Sequence, residues 1–473
     1  MTNTGLDKPL SIGSSDDLQA YAERVIESSG VPAVSLAAWK DGRLYEGAVG
    51  CLNLDTGVEA TTDSIFQIGS ITKVFTACLL MKLVEDGRLD LDTPVVQALR
   101  DFSIADQAAA KEITVRQLLN HTSGIAGDYF TDDNHDDGPH IARFIDRCSQ
   151  LPLVHPVGAS FSYSNVAFAV AGRMVEKCLG ISWFDAMEEL IFTPLGMDHA
   201  ICRPAEVIKY RTAIGHIADY ESPGSWKTSS GKYTCFGQSP AGTTPTMKAK
   251  DLITFARAHM SGGLTEEGKR WLTSETITQM HQPTVRFPAT QMAMDNAMGL
   301  GWFLQTDPKS GRRFYQHGGA TNGQLAMLRI FPDTDSCFAL LMNAQCPMTY
   351  NRMIIDLTQA VGGMEPQLFS DRPEISMSPE ELAPFEGCFT AYAGDYHFAV
   401  KENRLTYHYE DSVDEDSTRT GFLKPIGHMC FLPCDEDGAV APGTSAFRFI
   451  TSINKNRPKQ LFAALRLFTR EEN

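Results

Sequence analysis

From residue 70 to 86 the chain carries a run that admits few folds: Ser-Ile-Thr-Lys-Val-Phe-Thr-Ala-Cys-Leu-Leu-Met-Lys-Leu-Val-Glu-Asp. Ile71, Val74, Phe75, Cys78, Leu79 and Val84 recur at mixed spacings of three and four, the period of a helix. Gly87 supplies the stop. Apolar residues are so dense here that one buried face does not accommodate them, and the helix is expected to be almost wholly enclosed.

The elements around it follow. Val34, Leu36 and Ala38 alternate before the hairpin signal Asp41-Gly42, and Leu44-Tyr45 and Ala48-Val49 resume the pattern. A helix over 16–29 precedes them, with Leu18, Tyr21, Ala22, Val25 and Ile26 on one face. Strand patterns return at 314–316, 324–331 and 337–342, with Pro332-Asp333-Thr334-Asp335 turning between the last two. Further helices are predicted over 165–179, 250–260 and 350–361. Strands at both ends with helices between predict an α/β domain over residues 1–365, with a mixed, mostly antiparallel sheet flanked by helices and a helical insertion.

Residues 366–379 read as a linker with three prolines and no period. Beyond it, over 380–473, Tyr396/Phe398/Val400, Leu405/Tyr407/Tyr409, Phe447/Phe449 and Ala463/Leu465/Leu467 alternate in short runs separated by turns. That pattern predicts a small C-terminal antiparallel β-barrel.

Charge narrows the partners. The 41 basic and 58 acidic residues leave the 473-residue chain at −17, which argues against nucleic acid and against an anionic membrane surface. The N-terminus lacks the basic start and apolar core of a signal peptide. No apolar run approaches the ~20 residues that span a bilayer. The 11 cysteines, an odd number with no Cys-x-x-Cys pair, read as reduced thiols, and a cytoplasmic location is expected.

Three stretches carry chemistry. Ser70-x-x-Lys73 opens the apolar helix, so hydroxyl and amine share a face one turn apart. Free N–H groups of the first turn favour negative charge at the serine, and desolvation of the lysine lowers its pKa, which together describe an activated nucleophile. Tyr163-Ser164-Asn165 precedes the next strong helix; a phenol near a lysine serves as general base and acid, and the Asn165 amide suits holding a substrate amide or bracing Lys73. His317-Gly318-Gly319-Ala320 follows a strand pattern, and its glycines permit close backbone approach to an oxyanion.

In this order and spacing, the three motifs resemble those of the penicillin-binding-protein and serine β-lactamase superfamily, in its class C-like branch of esterases, D-aminopeptidases and peptide cyclases. The block from Val115 to Gly124 (Val-Arg-Gln-Leu-Leu-Asn-His-Thr-Ser-Gly), Pro194-Leu195-Gly196-Met197 and Gly299-Leu300-Gly301-Trp302 extend the resemblance over about residues 15–361. The resemblance implies Ser70 as the acylated nucleophile, Lys73 as its base partner and Tyr163 as the proton relay. It also implies Asn165, His317, Gly319 and Ala320 as substrate and oxyanion contacts, with the Ser70 and Ala320 N–H groups forming the oxyanion hole. The tail resembles the lipocalin-like barrel of some relatives.

One departure stands out. Relatives that act on β-lactams carry lysine where this chain has His317, and an imidazole titrating near neutrality supplies little permanent charge for a substrate carboxylate. The expected function is therefore a serine hydrolase for ester or amide bonds, D-residue peptides included, that needs no metal or other cofactor. The expected partner is a small-molecule or peptide substrate, and the oligomeric state is left open. Alternatives are an acyltransferase or peptide cyclase using the same acyl-enzyme, a weak β-lactamase, or a sensor acylated without turnover. His135, Asp136, Asp137 and His140 offer metal-ligand types but lie in an aperiodic acidic stretch that reads as a loop. His121 reads as a structural histidine. Tyr210, Tyr220, Trp226 and Tyr233 read equally as a substrate-facing wall or as packing aromatics.

Overall fold

The computed structural model describes residues 8–131, 139–222, 224–230, 233, 235–412, 418–451 and 457–471. A nine-stranded sheet forms its centre. In chain order the strands are β1 (Ala33–Lys40), β2 (Arg43–Asn53), β3 (Val58–Glu59), β4 (Val285–Phe287), β5 (Asp295–Met298), β6 (Phe303–Thr306), β7 (Arg313–Thr321), β8 (Gln324–Phe331) and β9 (Ser336–Met342). Across the sheet they run β3-β2-β1-β9-β8-β7-β6-β5-β4, every pairing antiparallel. N- and C-terminal strands meet in the middle, where Leu36 opposes Leu340.

Both faces of the sheet are covered, which is why β8 and β9 are buried along their whole length. Helices α1 (Ser15–Ser29) and α5 (Pro347–Gly362) cover one face, joining Leu18, Val25 and Leu357 to Leu36 and Leu340. Helices α2 (Thr72–Glu85), α3 (Asn165–Leu179) and α4 (Ala249–Met260) build the other layer. Eleven of the fourteen residues of α2 are buried, as its composition requires. No helix among the described residues is long and apolar enough to cross a membrane.

Strand β7 has an asymmetry that matters for the site. Its first half, Arg313 to Gln316, pairs with β6, but β6 ends there. From His317 onward β7 pairs with β8 on one side only, and its other edge faces the turn before α2. Approach is close: a Cβ on Gly319 would stand 1.9 Å from the Ile68 carbonyl oxygen, and one on Gly69 would stand 2.5 Å from the Ala320 nitrogen. Gly69 also has φ of 52°, so its lack of a side chain is required twice over.

The C-terminal strands close into an eight-stranded antiparallel barrel: β10 (Gly387–Ala391), β11 (Gly394–Lys401), β12 (Arg404–Asp411), β13 (Arg419–Gly427), β14 (Cys430–Cys434), β15 (Phe447–Ile450), β16 (Gln460–Ala463) and β17 (Arg466–Arg470). Phe389, Tyr396, Phe398, Leu405 and Phe449 fill its interior. The proline-rich stretch before it is anchored, with Phe369 buried against Ile426 and Leu432.

One strand expectation fails. The alternation Ala463/Leu465/Leu467 reads as a single strand, but the chain reverses at Ala464-Leu465, both at positive φ (47° and 65°). No Gly or Asn marks this turn, so sequence chemistry hides it. The hairpin tip docks on the other domain: the Tyr163 N–H donates to the Leu465 carbonyl at 2.9 Å, and Leu467 packs with Phe161, Tyr163 and Phe287.

The close approach predicts an asymmetric glycine pair. Gly319→Ala must push the strand off the Ile68 carbonyl and is expected to cost about 1–3 kcal/mol. Gly318→Ala meets nothing nearer than 3.4 Å and should be close to neutral. Thermal melting of the two variants checks this; equal melting points would contradict the backbone contact.

Candidate active site

Ser70 sits in a single 3₁₀ turn, Gly69–Ile71, that runs directly into α2. Lys73, one turn on, is fully buried. Its Nζ lies 2.9 Å from Ser70 Oγ and donates to the Ala241 carbonyl at 2.6 Å. The ring of Tyr163 stands beside the amine, 4.8 Å from Nζ to ring centre, and its hydroxyl hydrogen-bonds Ser70. A hydroxyl, an amine and a phenol, drawn from two distant stretches of sequence, therefore converge on one point.

Burial and neighbouring charges bias the protonation of these groups. Burial holds the Lys73 amine well below the usual ammonium range; Arg466 pushes the same way and Asp128 opposes. Burial pushes the Tyr163 phenol well above its usual range. Burial thus biases the site toward a neutral amine and a neutral phenol, which disfavours Tyr163 as a base. His317 is 2 % exposed, and burial and the neighbouring Lys73 lower its pKa to about 3. The expectation that His317 titrates near neutrality is corrected: it is a neutral ring packed 5.1 Å from Phe303 and 6.2 Å from Tyr163.

A cavity of 440 Å³ opens over Ser70, with Asn165 and Ala320 on its wall. His317 and Gly319 are not among the residues that line it. The Asn165 amide donates to Asp128 at 3.0 Å, while the hydrogen bonds of Lys73 run to Ser70 and Ala241. Ser164 caps α3 by accepting from the Ala167 N–H at 3.1 Å, an interaction worth about 1 kcal/mol that fixes Asn165 as the first helical residue. His121, buried and at φ 60°, accepts from the Ser164 N–H at 3.0 Å and stacks 4.3 Å from the Tyr163 ring. It props the phenol from below.

Two charged residues of the site escaped the sequence reading. Arg466, first residue of β17, reaches from the barrel hairpin to hold both oxygens of Asp128 at 2.6 Å. Its guanidinium lies 4.7 Å over the Tyr163 ring. Against the upward push of burial, Arg466 holds the Asp128 carboxyl below its usual range. Asp128 sits in a loop without period, and Arg466 passes for an outward-facing strand residue, so neither carried a signal.

Other expectations sort out simply. Tyr210, Tyr220, Trp226 and Tyr233 do not line the cavity; Tyr220 is exposed and Tyr233 hydrogen-bonds Thr246. His135, Asp136 and Asp137 lie outside the described residues, and His140 opens a helix (His140–Arg147) with its Nδ1 3.2 Å from Arg143.

A model of the beta-lactamase family matches residues 18–361. The chain belongs to that family. Penicillin-binding protein 4 of Amycolatopsis lactamdurans is 35% identical over 370 residues, covering 77% of this chain and 94% of that protein. Among solved structures, SurE superposes with a TM-score of 0.76 at 25% identity over 97% of this chain and 99% of SurE, so the likeness takes in the barrel as well. The D-amino acid amidase of Ochrobactrum anthropi shares the fold at a TM-score of 0.58 and 23% identity, over 72% of this chain and 98% of its own. The family and these neighbours include serine hydrolases.

The charges around Lys73 predict a paired shift. With Lys73 as the base of the reaction proposed below, the rate requires the neutral amine and rises with pH through the Lys73 pKa. Arg466→Met removes a positive charge that disfavours the ammonium, which raises that pKa and moves the acidic limb of kcat/KM to higher pH. Asp128→Asn removes the opposing charge and moves the limb to lower pH. Shifts of the same sign in both variants would contradict the assignment.

Proposed function

We propose that this member of the family cleaves ester or amide bonds through an acyl-enzyme on Ser70. The observation that carries the reading is the 2.9 Å contact between Ser70 Oγ and an amine whose charged form burial disfavours. Lys73 accepts the Ser70 proton as the hydroxyl attacks the carbonyl carbon. The N–H groups of Ser70 and Ala320 stabilise the tetrahedral oxyanion, the second supplied by the unpaired edge of β7. Neutral Tyr163 donates its proton to the leaving group as the bond breaks, and the Lys73 ammonium reprotonates it. Water then attacks the acyl-enzyme by the same path in reverse.

Substrate class follows from charge. Among the described residues that line the cavity, none carries a formal charge. His317 stays neutral, and Arg466 is neutralised by Asp128. A penicillin carboxylate would find no free cation among these described residues, which favours an esterase or amidase over an efficient β-lactamase. A D-configured residue on the acyl side is the preferred substrate. Two likenesses support it: one SurE structure, at a TM-score of 0.72, is of SurE with D-Leu, and a second relative by fold is a D-amino acid amidase.

Ser70→Ala should leave the circular dichroism spectrum unchanged and reduce hydrolysis of p-nitrophenyl esters and D-amino amides by roughly 10⁴–10⁶-fold. Full activity in that variant would remove the nucleophile, and faster turnover of L- than D-amides would remove the stereochemical preference. Product analysis with an added amine distinguishes hydrolysis from acyl transfer.

A further inference from the structure

The outer face of the barrel gathers metal-ligand side chains in a row. Cys388 on β10 directly opposes His397 on β11, and His397 directly opposes His408 on β12. Asp395, two residues before His397, points to the same face, because Tyr396 between them turns inward to the aromatic core. Cys388 Sγ lies 4.0 Å from His397 Nε2, and these atoms and an Asp395 carboxylate oxygen all lie within 4.8 Å of one another. Zinc–sulfur and zinc–nitrogen bond lengths place two such atoms about 3.6 Å apart around a tetrahedral ion. Closing the gap takes about 0.4 Å, within the reach of a side-chain torsion.

The surroundings are also those of a cation site. The charged groups acting most on the Cys388 thiol are the carboxylates of Glu471, Asp395 and Glu410, and Glu471 hydrogen-bonds the thiol itself. Acidic groups alone are common on a surface. A thiol, an imidazole and a carboxylate converging on one point are a donor set of borderline softness, suited to zinc rather than to magnesium or calcium. The place in the fold gives such an ion something to do. Strands β10 and β17 close the barrel through two register pairs, Phe389 with Arg470 and Thr390 with Thr469. Glu471 follows immediately, its N–H donating to the Cys388 carbonyl at 3.0 Å.

We propose that Cys388, His397 and Asp395 bind a zinc ion on the outer face of β10 and β11, with Glu471 completing the tetrahedron across the barrel seam. The ion clips the last strand to the first and takes no part in the hydrolytic chemistry. It fastens the strand whose first residue is Arg466. The thiol loses its proton on binding, so affinity rises with pH.

Cobalt(II) tests this in the full chain, stripped of metal with a chelator. One equivalent should produce a thiolate-to-cobalt charge-transfer band in the near ultraviolet, which zinc(II) then displaces. Cys388→Ser should abolish the band, and His397→Ala should weaken cobalt binding at least tenfold. Both variants should hydrolyse p-nitrophenyl esters like the parent, which reports an intact fold. Zinc should raise the melting temperature of the parent but not of Cys388→Ser. No band in the parent, a band that survives Cys388→Ser, or unchanged affinity in His397→Ala would each overturn the site. The cobalt-binding and melting readouts do not depend on the Ser70 chemistry.

Discussion

The site depends on an amine sealed inside a helix layer. Each unit by which a pKa departs from its ordinary value corresponds to about 1.4 kcal/mol between the two protonation states. For Lys73 that difference is set by packing, since Val74, Phe75 and Ala77 beside it are completely buried. Asp128, whose carboxylate acts on the amine, is already held by Arg466 and is a poor counter-ion. An ammonium would have two neutral acceptors, Ser70 Oγ and the Ala241 carbonyl. The apolar composition that forces α2 into the interior is thus what disfavours the charged form of the lysine.

Backbone contact sets the geometry around that amine. Three segments meet at the nucleophile without side chains between them. A Cβ on Gly242 would stand 2.2 Å from the Gly69 carbonyl oxygen, and one on Gly319 would strike Ile68. Such contacts resist small displacements, because an interior is densely packed and no flexible side chain can yield. They bring the unpaired edge of β7 against Ser70, where a bound substrate can use its N–H groups.

Legibility in the sequence follows the range of the interactions. The bounds of α3, Asn165–Leu179, are read directly from period and from Gly180, which takes the left-handed conformation at the helix end. Those of β8, Gln324–Phe331, follow from a buried run and its turn. Ser70 and Lys73 were legible because a helix places residues three apart on one face. Tyr163 was legible through the family resemblance, since spacing alone does not bring residue 163 to residue 70. Arg466 was not legible. Its role depends on a turn at Ala464-Leu465 that lacks turn residues, and on docking between distant parts of the chain. The protonation of His317 depends on enclosure by Phe303, Tyr163 and Lys73, none of which is its neighbour in sequence.

The barrel changes how the site handles charge. Without β16 and β17, Asp128 would face Asn165 and Lys73 as an uncompensated carboxylate, and its field would favour the ammonium. Arg466 cancels that field and adds one of opposite sign on Lys73. The barrel hairpin therefore acts on the base without touching it, through a carboxylate and across the face of Tyr163. Among the described residues, the cavity lining carries no formal charge of either sign. In the proposed reaction, substrate would be held by the β7 edge, by the Asn165 amide and by apolar contact with lining residues such as Phe130 and Ala241. All three suit an uncharged backbone carbonyl with an apolar neighbour better than they suit a carboxylate.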